Sequence, residues 1–249
     1  MSGHSKWAQI KRQKGANDAK RGQIFTKLGR EITVAARQGG SDPEANYRLR
    51  LAIQKAREQN MPMENIDRAI KRAGGGADSA ALEEVTYEGY GPGGTAILLQ
   101  AFTDNRNRTV AEIRNLFTRG GGSLGEGGCV AWLFDQRGVI TVEAGERDAD
   151  EIALVAIDAG AEDVSVDGES IEVYTAPEDL ETVRRGLDAQ DLHVVSAELA
   201  MIPKTTVRLG EKDGLQALKL LERLEDLDDV QRVFSNADIP EEVLQKYEG

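Results

Sequence analysis

The chain has one cysteine and two histidines among 249 residues. A lone thiol, Cys129, excludes an internal disulfide framework and any cysteine-cluster metal site. His4 and His193 stand far apart with no neighbouring cysteine or histidine, so no metal centre is read from them. Neither lies near a recognisable nucleophile motif, and no pair of the many carboxylates is singled out for acid–base work. The reading is a protein without cofactor, metal or small-molecule substrate, and not an enzyme. Aromatic residues make up only 5%, which suits several small units better than one large aromatic core. Proline is scarce, with 6 residues, and no Ser/Pro-rich tract suggests extended disorder. Long apolar runs are missing too. Ala96–Leu99 and Cys129–Phe134 are far too short to span a bilayer, and the N-terminus has no signal-like segment. A soluble, cytoplasmic protein is expected, with no membrane partner.

What is abundant is charge, and it is unevenly placed. The first 75 residues carry 16 Lys/Arg against 7 Asp/Glu, a local charge of +9, while the remaining 174 carry 15 against 36, or −21. A basic terminal part on an acidic body points to a polyanionic partner, nucleic acid first among them.

Three helices fit the basic part, residues 1–76. In Arg21–Gln38 the apolar Ile24, Phe25, Leu28, Ile32 and Ala35 fall within roughly 100° of arc, while Lys20, Lys27, Arg30 and Arg37 occupy the opposite face. Ser41-Asp42-Pro43 announces a second helix, striped by Ala45, Leu49, Ala52, Ile53 and Ala56. A third carries Met63, Ile66, Ala69 and Ile70 and stops at Gly74-Gly75-Gly76. Ahead of the bundle runs a cationic tail with Lys6, Lys11, Arg12, Lys14 and Arg21. Trp7 within it has two readings, stacking on or wedging into a nucleic acid, or packing back on the bundle. The expected nucleic-acid contacts are therefore Lys6, Trp7, Lys11, Arg12, Lys14, Lys20, Arg21, Lys27, Arg30 and Arg37.

Past residue 82 the pattern becomes mixed. Glu83–Tyr90 and Thr95–Thr103 read as strands, Thr109-x-x-Glu112 as a capping box opening a helix, and Cys129–Phe134 as another strand. Gly89-Tyr90-Gly91-Pro92-Gly93-Gly94 spells G-x-G-x-x-G, yet it precedes a strand and contains proline, so it is a turn and not a dinucleotide site. A second set follows: strand 138–142, helix 149–159, strands 164–166 and 171–175, helix 177–189, strand 193–201. Its β-α-β-β-α-β order is ferredoxin-like. The tail adds strand 205–209, helix 215–224 and strand 230–234, which complete the first set. The fold class is thus α+β: an N-terminal three-helix module (1–76) followed by two ferredoxin-like αβ domains, the second (136–203) inserted in the first (77–135 with 204–249).

Two features of the body bear on function. Arg106 and Arg108 lie just before the expected helix start at Thr109, a place that favours anions. Either they form a second anion site, or they pair with Asp104 or Glu126 to pin the fold. The glycine-rich segment 120–128 reads as a flexible loop. Acidic runs such as Asp226-Leu227-Asp228-Asp229 read as solubilising surface.

The segments GHSKWA (Gly3–Ala8), AKRGQIFTKLGREI (Ala19–Ile32), YEGYGPGG (Tyr87–Gly94), DNRNRT (Asp104–Thr109) and SLGEGGCVAWLF (Ser123–Phe134) together resemble the YebC family, along essentially the whole chain. That family includes bacterial proteins called probable transcriptional regulators and a mitochondrial translational activator of a cytochrome oxidase subunit. Tyr47 stands where proline is common after Asn46, and Cys129 where serine is frequent. The resemblance implies three domains and a non-enzymatic role in gene expression. The leading expectation is a DNA-binding transcriptional regulator. The alternative is a ribosome-associated translation factor that binds ribosomal RNA and relieves stalling at proline-rich sequences.

Overall fold

The structure, a computed structural model, describes residues 18–74, 82–145, 147–167 and 170–248, with the backbone alone at 18–21, 167 and 248. It is an α+β protein in which N-terminal helices precede two antiparallel four-stranded sheets. The described residues form two compact units, 18–131 with 207–248, and 132–206.

The larger unit opens with α1 (Asp18–Gly39), α2 (Tyr47–Glu58) and α3 (Met63–Ala73). The periodic apolar residues meet as expected: Leu28, Ile32 and Ala35 of α1 pack with Leu49, Ala52, Ile53 and Ala56 of α2 and Ile66 and Ala69 of α3. The start of α2 differs from the sequence reading. The helix begins at Tyr47 instead of beside Pro43, because Asn46 is the better cap. Its side-chain oxygen accepts from the Leu49 amide at 3.1 Å, and its NH2 donates to the carbonyls of Ala35 (2.8 Å) and Gly40 (2.7 Å). Gly39 makes room for this plug: a Cβ there would come within 2.6 Å of the Asn46 amide nitrogen.

The first sheet has the order β3-β1-β2-β9, built from β1 (Glu83–Tyr90), β2 (Ala96–Thr103), β3 (Ser123–Leu124) and β9 (Val230–Ser235). Gly91–Gly94 is indeed the β1–β2 turn, with Gly93 at φ 68°. Central strand β2 is almost wholly buried because helices cover both faces. Ile97 and Leu99 pack against α4 (Arg106–Arg119) and α7 (Glu211–Glu225), and α1 meets β2 and β9. This sheet departs from the β-α-β-β-α-β order, since a hairpin, β1-β2, precedes its first helix. Segment 205–209 does not join it either. β8 (Val207–Arg208) pairs in parallel with β10 (Ala237–Asp238), and these pack with α7 and α8 (Glu241–Glu248) around Leu209, Leu218, Ile239 and Leu244.

The smaller unit runs β4 (Phe134–Glu143), α5 (Ala149–Asp158), β5 (Asp163–Asp167), β6 (Ser170–Thr175), α6 (Leu180–Asp188), β7 (His193–Pro203). Its spatial order is β5-β6-β4-β7, antiparallel throughout. Ile140, Val142, Ile171 and Val173 of the sheet and Ile152, Leu180, Val183 and Leu187 of the helices are buried.

Candidate nucleic-acid interface

Of the expected contacts, Lys6, Trp7, Lys11, Arg12 and Lys14 lie outside the described residues. Lys20 and Arg21 are placed by backbone alone, in the first turn of α1. The remaining three have intramolecular acceptors. Lys27 donates through Nζ to the carbonyl of Glu225. Arg30 donates to the carbonyl of Asp228 at 2.6 Å and to the carboxylate of Asp229 at 2.7 Å. Arg37 reaches the carbonyl of Leu82 at 3.3 Å. The cationic face of α1 thus meets the acidic turn between α7 and β9, so an internal anion occupies part of the face read as meeting a polyanion.

Asp229 organises this contact. It is not surface acid but a buried carboxylate, 4% exposed. Besides Arg30 it accepts from Arg108 (2.8 Å), the Thr109 hydroxyl (2.6 Å) and the Thr103 hydroxyl (3.2 Å). Burial alone would push its carboxyl up. The bonds from Thr109, Arg108 and Arg30 outweigh burial and hold it below the ordinary carboxylate range.

Asn105, not Thr109, caps α4, its side chain accepting from the Arg108 amide at 3.1 Å. The helix therefore begins at Arg106, four residues earlier than the capping-box reading, and the Thr109 hydroxyl is left to bond Asp229. Both arginines fall in the first turn. Arg106 lies 2.5 Å from Glu83, an exposed pair at 64% and 52%. Arg108 bridges Asp104 and Asp229, each at 2.8 Å, and those carboxylates stabilise its charged form.

The glycine-rich segment is held, not loose. Glu88 of β1, buried at 6%, accepts the backbone amides of Gly128 (2.6 Å), Val130 (2.7 Å) and Ala131 (2.7 Å). Burial raises its pKa, but these three amides lower it further, leaving it below the usual range. The same bonds explain why Cys129–Phe134 is not a strand. Amides that a ladder would need are taken by Glu88, and the chain makes a single 3-10 turn at Ala131–Leu133 before β4. Burial and the nearby Glu88 charge push the Cys129 thiol up, so it is a poor nucleophile.

The sequence reading passed over a different set of cations. Among Lys/Arg 22–74, Lys27, Arg30 and Arg37 are held as above. Arg48 pairs with Glu84 at 3.0 Å, Lys55 with Glu31 at 3.7 Å, and Arg50 donates to the carbonyls of Pro43 and Glu44 at 3.2 Å. Arg57, Arg68, Lys71 and Arg72 are exposed and make no ion pair among the described residues. Helical spacing was the available signal: the last three sit opposite the apolar stripe of α3. No group of His, Cys, Asp and Glu among the described residues could hold a metal ion, and no described helix is long and apolar enough to cross a membrane.

Comparison with known proteins gives consistent matches. The family model for the TACO1/YebC N-terminal domain matches residues 5–76, and that for the TACO1/YebC second and third domain matches residues 82–237. A probable transcriptional regulatory protein of Dehalococcoides mccartyi is 58% identical over 247 residues, covering 99% of this chain and 98% of its own length. Another, from Chloroflexus aggregans, is 57% identical over 252 residues with complete coverage of both chains. The crystal structure of a conserved hypothetical protein from Aquifex aeolicus superposes with a TM-score of 0.84 at 48% identity, covering 92% of this chain and 94% of that one.

Proposed function

Because the chain belongs to the TACO1/YebC family, we propose that it is a non-enzymatic, nucleic-acid-binding regulator of gene expression, acting in the cytoplasm as a DNA-binding transcriptional regulator. The observation that carries this reading is the division of charge, +9 in the first 75 residues against −21 in the rest. A cationic module gains affinity for a phosphate backbone by releasing counterions, while an acidic body is repelled by the same backbone. Binding would then be confined to one end of the molecule. Names of relatives such as the Dehalococcoides protein support a role in transcription. Within this reading, 1–76 is the binding module, 77–135 with 204–249 a split αβ domain, and 136–203 an inserted ferredoxin-like domain.

The proposed contacts are Lys6, Trp7, Lys11, Arg12, Lys14, Lys20 and Arg21. Lys27, Arg30 and Arg37 join them where a phosphate replaces their intramolecular acceptors. Ribosomal RNA offers the same backbone, so the test sets the two targets against each other. Labelled full-length protein is offered ribosomes and genomic DNA fragments together at physiological salt, beside a variant with Lys6, Lys11, Arg12 and Lys14 changed to Gln. Enrichment of a few DNA sequences, lost in the variant, is the expected result. Partition to ribosomes, with DNA shed as salt rises, would replace the transcriptional reading with the translational one.

A further inference from the structure

We infer that Arg57, Arg68, Lys71 and Arg72 form a phosphate-binding face for duplex DNA on α2 and α3, an inference that rests on the nucleic-acid-binding reading above. The first ground is selectivity of pairing. Six of the described cations in the helices serve the fold, through Glu225, Asp228, Asp229, Leu82, Glu84, Glu31, Pro43 and Glu44. These four do not. All four are exposed, Arg57 in the last turn of α2 and the other three along α3.

Their geometry suits a backbone. Arg68, Lys71 and Arg72 are spaced i, i+3, i+4 and therefore share one face, centred roughly opposite Ile66, Ala69 and Ala73. The axial distance from Arg68 to Arg72 is roughly 6 Å at 1.5 Å per residue. Phosphates of one strand recur about every 3.4 Å along a duplex axis, so the triplet covers about two of them. Arg57 adds a fourth cation near the other end of α3. Its guanidinium lies 4.0 Å from the sulfur of Met63, which places it beside the first turn of α3. Glu64 and Asp67 lie one turn before Arg68 and Lys71 on the same side of the helix, and past Asp67 that side is cationic only, through Arg68, Lys71 and Arg72.

The face is also pre-organised. Ile66 and Ala69 anchor α3 in the bundle core, and the Thr33 hydroxyl of α1 donates to the Ala69 carbonyl at 3.0 Å. Holding the cations on a fixed helix lowers the ordering cost of binding. Unstacked single strands are held instead by exposed aromatic rings. The aromatic residues of the described helices α1–α3, Phe25 and Tyr47, are both partly buried, and the exposed apolar side chain here is Met63. That favours a duplex read through its phosphates over a single strand held by stacking.

The test uses the full chain. Binding to a mixed-sequence DNA duplex is titrated from low to moderate salt for the wild type, for R57Q/R68Q/K71Q/R72Q, and for a control, R114Q/R119Q/K212Q/K219Q. The control removes four exposed cations elsewhere. Each lost phosphate contact lowers the log–log salt slope by about 0.9, so the quadruple variant should lose about three units of slope and the control none. The single variants R68Q and R72Q, each expected to lose about one unit, keep the test decisive if the quadruple variant misfolds. Wild-type binding with unchanged slope in the variants overturns this face alone. A slope loss confined to single-stranded RNA or ribosomes overturns the duplex assignment. A wild type that ignores DNA and RNA alike overturns the nucleic-acid-binding reading, and this inference falls with it.

Discussion

Arg30 and Asp229 are 199 residues apart in sequence, and their guanidinium and carboxylate meet at 2.7 Å. The carboxylate is buried and gathers four donors from α1, the end of β2 and the first turn of α4, so it ties the helical bundle to the first sheet. Removing one partner of such a pair leaves the other charge unmatched. D229A should therefore destabilise the protein by about 3 kcal/mol, and D229N by somewhat less because shape is kept. Urea unfolding measures this directly. A midpoint unchanged from wild type would mean that the tie contributes nothing.

The same carboxylate, with Glu88, sets an acid limit. Both have folded pKa values below their ordinary 3.8 and 4.5. A depressed carboxylate contributes stability that is complete above the unfolded value and is lost as pH falls through the folded one. Stability should hold across pH 5–7 as far as these groups are concerned and drop below about pH 4. In D229N and E88Q the drop should be shallower, because the titrating group is gone. Equal acid slopes in wild type and variants would assign the loss to other groups.

Glu88 offers a cleaner local readout. A carboxamide in its place supplies one acceptor oxygen for three inward-pointing amides. E88Q should cost about 2 kcal/mol and release the 128–131 segment. Cys129, the sole thiol, lies in that segment and reports on it. Its alkylation by a small thiol reagent should speed up severalfold in E88Q under native conditions, while global unfolding stays cooperative. An unchanged rate would show that other contacts, such as the Tyr90 hydroxyl on the Cys129 carbonyl at 3.0 Å, hold the segment by themselves.

The two arginines after Asn105 separate in the same kind of experiment. Exposed pairs such as Arg106–Glu83 contribute about 0–1 kcal/mol, so R106Q should leave stability nearly unchanged. R108Q breaks a bond to the buried Asp229 and should destabilise measurably. Because two carboxylates occupy the Arg108 guanidinium, R108Q should leave the DNA salt slope unaltered. A fall of about one unit would instead make it an anion site.

How much of this was legible in the sequence follows from the range of the interactions. The stripes of α1, α2 and α3, the β1–β2 hairpin and the element order of 134–203 are local patterns that appear in the structure where periodicity puts them, except that Ala45, which precedes α2, and Met63 are exposed. The failures involve distant partners. Asp229 reads as surface acid, and nothing in the sequence singles out Glu88, because their donors lie 120 to 199 and some 40 residues away. Cys129–Phe134 has strand composition, but its amides answer to Glu88. The short β10 and α8 carry too few residues for a period to register, and the strand read at 205–209 appears as β8 in a different sheet because its partner, β10, gives no local signal. Lys27 and Arg30 matched a cationic face correctly, while the acceptors opposite them became visible only in three dimensions.

Asn46 illustrates the competition between local signals and tertiary ones. Ser41-Asp42-Pro43 is a good local start signal, and Asp42 does bond the Glu44 amide at 3.0 Å. It loses the helix start because Asn46 can accept from Leu49 and also donate to two carbonyls at the end of α1, all from a buried position. N46A should cost about 2 kcal/mol, combining a lost cap with two unanswered carbonyls. N46D keeps the cap acceptor but sets a negative charge against those carbonyls, so it should be at least as damaging as alanine, the reverse of the ranking at an ordinary exposed cap. S41A should change stability by less than about 0.5 kcal/mol. If N46D proved nearly neutral and S41A costly, the helix would be starting at the local signal after all.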